Sequence, residues 1–139
     1  MLIVLDSNVL VSGLLNPFGP PGRILDLILV GTVRLAYDDR ILVEYREVTR
    51  RPRFGFNPTL IKQLIDYLVF SGEPVNAAPL KADPPHPGDL PFAEVAIAAK
   101  ARALVTGNAH HFAFLSDPPV LSPVDFLALW AEENSQGSD

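Results

Sequence analysis

The sequence predicts an α/β domain built on a parallel sheet, for three reasons. Short apolar runs alternate with longer stretches whose apolar residues recur at helical spacing. The first run, Leu2-Ile3-Val4-Leu5, is wholly apolar and stops at Asp6, as a strand covered on both faces does. The helical stretches between runs supply the connections that parallel, right-handed neighbours require.

Each element follows from local chemistry. Asn8 to about Leu15 reads as a short helix capped by Ser7 and closed by Asn16-Pro17. Gly22-Arg23 opens a second helix through Val30, with Gly31 as its stop. Val33–Tyr37 reads as a strand, and Asp38 and Asp39 then cap a helix to about Arg50, ended by Pro52. Asn57-Pro58 starts a helix carrying Leu60, Ile61, Leu64, Ile65 and Leu68, which Gly72 ends. Glu73–Val75 reads as an edge strand and 76–91 as a proline-rich loop. Phe92 to Arg102 is alanine-rich and helical, Ala103–Thr106 a buried strand, and Gly107 a tight turn. Val120-Leu121 is a last short strand before a helix over Pro123–Trp130 with Ser122 as cap. One domain over residues 1–131 and a polar tail over 132–139 are expected.

Composition excludes several classes of function. The 139 residues are 48% hydrophobic and 19% charged, a globular balance. The absence of cysteine removes disulfide scaffolds, thiolate zinc sites and thiol catalysis together. The opening MLIVLDSN lacks a basic n-region, and no apolar run approaches the roughly 20 residues that span a bilayer. A soluble, cytoplasmic protein with no membrane partner is therefore expected. With 11 basic and 16 acidic residues the net charge is −5, so a polyanion must be met by a local basic patch.

Ligands of open parallel sheets bind outside the carboxyl ends of the strands. Asp6-Ser7-Asn8 and Thr106-Gly107-Asn108 stand at two such ends. Asp6 is placed either to cap the next helix or to hold a cation. Glu44, between Val43 and Tyr45, read alone belongs to a solvated helix face with Glu47. Asp89, three residues before Phe92, suits a helix cap as well as a metal. Together Asp6, Asn8, Glu44, Asp89 and Asn108 supply three carboxylates and two amide oxygens, hard ligands suited to Mg²⁺ or Mn²⁺.

LIVLDSNVLVSGL, then ILVEYREV, then DLPFAEVAIAAKARALVTGNAHHF resemble the PIN domain family. They are most similar to the small stand-alone members that serve as toxins of toxin–antitoxin pairs. The resemblance implies a three-layer α/β/α sandwich with a mostly parallel central sheet. It implies a Mg²⁺- or Mn²⁺-dependent endoribonuclease hydrolysing RNA phosphodiester bonds, a small antitoxin partner and a homodimer. By the same resemblance Asp6, Glu44 and Asp89 are catalytic, and Asn8 and Thr106 fill polar pocket positions. Metal coordination is assigned to Asp6, Asp89 and Asn108. Many relatives carry an aspartate where this chain has Asn108, a departure that bears on a second metal.

The basic cluster is Arg46, Arg50, Arg51 and Arg53, followed by Phe54 and Phe56; it reads as an RNA-binding patch, as a solvated helix end that the macrodipole favours, or as a seat for an acidic antitoxin segment. His86, His110 and His111 are read as loop residues rather than catalysts. Two alternatives remain. LIVLDSNVLV also resembles the opening of haloacid dehalogenase-type phosphotransferases, whose second aspartate falls here at Asn8. The other is a PIN-fold binding module with lost or weak catalysis, which Asn108 favours.

Overall fold

The computed structural model describes residues 1–136. Along the chain stand β1 (Leu2–Leu5), α1 (Ser7–Leu15), α2 (Pro20–Leu29), β2 (Arg34–Tyr37), α3 (Asp39–Thr49) and α4 (Pro58–Ser71). There follow β3 (Glu73–Pro74), α5 (Leu90–Ala98), β4 (Leu104–Val105), β5 (Val120–Leu121) and α6 (Pro123–Gln136). Short 3₁₀ turns cover Pro52–Phe54, Pro87–Asp89 and Ala109–Phe112.

The five strands lie in the order β3-β2-β1-β4-β5, every pairing parallel. β1 is central, with Ile3 opposite Leu35 on one side and Val4 opposite Leu104 on the other. Its Ile3, Val4 and Leu5 are fully buried, which accounts for the unbroken apolar run. The chain steps from β1 to β2 to β3 in one direction, then returns to β4 on the far side of β1. Right-handed crossovers therefore put α5 across the sheet from the connections through α1–α2 and α3–α4. The result is a three-layer α/β/α sandwich. The reversal also opens a crevice at the carboxyl ends of β1 and β4.

Tyr45, Phe92, Phe112 and Phe126 are the largest fully buried side chains, and each such burial contributes about 1.5–3 kcal/mol. Element boundaries differ from the sequence reading for identifiable reasons. α2 and α5 start two residues early, at Pro20 and Leu90, because proline is tolerated in a first helical turn. Gly22 lies inside α2 because a Cβ there would sit 2.2 Å from the Pro17 carbonyl oxygen. α5 stops at Ala98, short of Arg102, because Lys100 takes the left-handed conformation at φ 51°, a break that no glycine announces. α6 runs past Trp130 to Gln136, so the polar stretch expected as a tail from Glu132 begins as helix. Glu133 there pairs with Arg102 at 2.6 Å. The last three residues of that expected tail, 137–139, lie outside the described residues.

Candidate active site

Asp6 is the first residue past β1, and its backbone N–H still donates to the Val105 carbonyl at 2.9 Å. It occupies the N-cap position of α1, but its side chain makes no capping hydrogen bond. Instead Oδ2 accepts from the Thr106 hydroxyl at 2.7 Å, across the β1–β4 seam. The capping reading of Asp6 is thus set aside. Burial pushes the Asp6 carboxyl up, the Thr106 bond opposes this, and the Asp89 charge pushes it further up. Thr106 is itself fully buried.

Glu44 is carried into the crevice by α3. Ile41, Leu42 and Tyr45 of that helix pack into the core, and the Tyr45 hydroxyl donates to the Leu5 carbonyl at 2.5 Å. That bond fixes α3 against the end of β1, one residue from Asp6. Glu44 and Val48, four residues apart on α3, line the crevice, joined by Arg51 just past the end of the helix. Ser7, expected as a cap, is a buried helical residue whose hydroxyl donates to Glu44 Oε2. Burial raises the Glu44 carboxyl, the Ser7 bond lowers it, and the Asp6 charge raises it again. The solvated-face reading of Glu44 does not hold.

Asp89 stands at the N-cap position of α5, also without a capping bond. Its Oδ2 is buried and has no hydrogen-bond partner, and His111 Nδ1 lies 3.7 Å away. Burial raises this carboxyl, while the His111 and His86 rings pull it down. Its helix is anchored by Glu94, which takes Arg40 at 2.7 Å and the Leu80 N–H at 2.7 Å. That buried clamp ties the proline-rich loop to α3. Sequence reading passed over it because Glu94 sits in an otherwise apolar helix with no local partner.

The three acids thus line one open cleft of about 450 Å³ at the topological switch point. The PIN domain family model matches residues 2–110. This chain belongs to the PIN domain family. In fold it is similar to a chain of the crystal structure of VapBC2 from Rickettsia felis bound to a DNA fragment from their promoter. The TM-score is 0.56 at 17% identity, covering 88% of this chain and 98% of that one. No curated protein matches. Family membership displaces the phosphotransferase alternative, and Asn8, where the second acid would stand, has its Oδ1 engaged by the Gly107 N–H at 3.3 Å.

The remaining candidates of this PIN domain divide. Asn108 lines the cleft; its N–H donates to the Thr106 hydroxyl at 3.0 Å, and its side chain caps nothing. Arg51, Arg53 and Phe54 also line the cleft, whereas Arg46 and Arg50 line a separate cavity between α3 and α4. His111, read as a loop residue, lies in the cleft wall, its ring centroid 4.3 Å from those of both His86 and His110. No sequence spacing signals that convergence; only the 3₁₀ turn Ala109–Phe112 brings His111 back over Asp89.

Among the described residues, no three Asp, Glu or His side chains form a ready-made metal cage. The donor chemistry still fits Mg²⁺ or Mn²⁺. Mg²⁺ keeps most of its water and is held by one or two carboxylates. A bound cation would relieve both the buried, unpartnered Asp89 Oδ2 and the repulsion between Asp6 and Asp89.

Proposed function

We propose that this PIN domain is a Mg²⁺- or Mn²⁺-dependent endoribonuclease, acting as the toxin of a toxin–antitoxin pair. The observation that carries the reading is the convergence of Asp6, Glu44 and Asp89 on one cleft, each carboxyl raised by burial. Carboxyls shifted by burial and gathered in a cleft are candidates for a functional site. Asp6 and Asp89, with the Asn108 amide oxygen, would hold the metal. When bound, it would supply a water of lowered pKa and offset charge on the phosphate oxygens. Glu44, its basicity raised by burial, positions the attacking water or takes its proton. Thr106 holds Asp6 in place, and Arg51 and Arg53 grip the phosphates on either side of the cut. A single-stranded substrate is favoured by the Phe54 ring in the same cleft, since unpaired bases stack on aromatics.

A small antitoxin partner and a homodimer belong to the same proposal. The likeness to a VapBC2 chain supports the antitoxin partner. Among the described residues no helix is long and apolar enough to cross a membrane.

The test is cleavage of a single-stranded RNA after EDTA treatment, with Mg²⁺ or Mn²⁺ restored, beside the Asp6→Asn protein. Cleavage should need added metal and vanish in Asp6→Asn. Full activity of the folded variant would overturn the assignment. Metal-independent inertness of the wild type, with RNA still bound, would instead favour the binding-module reading.

A further inference from the structure

The segment from Arg51 to Phe56 serves two cavities. Arg51 lines both the acidic cleft and the cavity between α3 and α4. Phe54 faces the first and Phe56 the second, and the two rings stack with centroids 5.6 Å apart and planes inclined at 20°. The second cavity holds about 260 Å³, below the roughly 300–1,000 Å³ that accommodates a drug-sized ligand. Its apolar wall includes the buried side chains of Ile61 and Ile65. Arg46 and Arg50, from the last turn and C-cap of α3, supply charge beside it.

That charge is available. Among the described residues no carboxylate forms an ion pair with Arg46, Arg50 or Arg51. Asp66, the one acid lining the cavity, is already engaged by Lys62 at 2.9 Å. A small apolar slot with an aromatic wall and unpaired guanidinium groups has the chemistry of a nucleotide site, base inward and phosphate at the arginines. Arg51, common to both linings, sets this slot beside the acidic cleft.

We propose that the α3–α4 cavity is a base-binding subsite, taking one nucleotide of single-stranded RNA adjacent to the phosphate in the acidic cleft. The proposal rests on the nuclease reading, but its test reads binding and not cleavage. Fluorescence anisotropy would follow a labelled uridine hexanucleotide and an abasic-ribose hexamer of equal length, bound to wild type in EDTA. The uridine strand should bind well over tenfold tighter, about tenfold of it from the base at Phe56 and the rest from the base stacked on Phe54. Phe56→Leu should remove that tenfold share and leave abasic binding unchanged, while Phe56→Tyr should restore it. Arg50→Glu, at an exposed position, should weaken both strands alike. Thermal melts verify that each variant is folded. Equal binding of the two strands by wild type, or a ratio untouched by Phe56→Leu, would overturn the subsite and leave the cavity to a protein segment. Failed metal-dependent cleavage with the base preference intact would count against the nuclease reading alone.

Discussion

The Thr106 hydroxyl donates to Asp6 Oδ2 at 2.7 Å inside a fully buried seam, so its removal is a measurable event. Thr106→Val keeps the shape and deletes the donor. A hydrogen bond to a charged group contributes about 1.5–3 kcal/mol. The added methyl returns about 0.8 kcal/mol through burial. The Asn108 N–H also loses its acceptor, but it is only half-buried and finds water. The net loss should be about 1.5 kcal/mol. For a chain of 139 residues that corresponds to a fall in Tm of about 4–8 °C. The pH dependence gives a second handle. The bond opposes the burial that raises the Asp6 carboxyl, so without it Asp6 takes up its proton at still higher pH. The deficit should be largest near pH 8, where the stranded carboxylate is charged, and smaller near pH 5. Thermal unfolding followed by circular dichroism at both pH values, with EDTA present, measures it, and Thr106→Ser should recover most of the loss. An unchanged Tm, or the same deficit at both pH values, would refute the view that this hydroxyl stabilises a buried carboxylate.

Three other outcomes are expected. Because burial raises Asp6, Glu44 and Asp89, the folded metal-free protein binds more protons than the unfolded chain above the ordinary carboxylate range. These groups should therefore make its Tm fall as pH rises through their folded values, with Asp89→Asn flattening the slope in melts from pH 5 to 7.5. Replacing Arg51 and Arg53 by alanine should lower the log–log salt dependence of RNA binding by roughly 0.7 per phosphate contact, and an unchanged slope would remove them from the RNA site. Asn108→Asp should lower the Mg²⁺ concentration for half-maximal cleavage about fivefold, a gain of about 1 kcal/mol; superimposable titrations would place Asn108 outside the metal site.

Local sequence determined the elements and their order. The unbroken Leu2–Leu5 run, the Asn57-Pro58 start and the Gly31 stop are short-range signals, because capping, φ preference and apolar periodicity act within a turn or two. Asp6 and Thr106 were legible as strand-end residues for the same reason. Three matters were settled by tertiary packing. Asp6 and Asp89 occupy N-cap positions yet cap nothing, since one is taken by a hydroxyl 100 residues away and the other faces the cleft. The arginine cluster, continuous in sequence, is divided between two cavities because α3 ends inside it and the chain turns at Pro52–Phe54. His111 and Glu94 acquire their places from distant partners, Asp89 and Arg40, that no spacing announces. A side chain's partner across a sheet seam is set by strand order, and strand order emerges only when β4 returns to pair with β1.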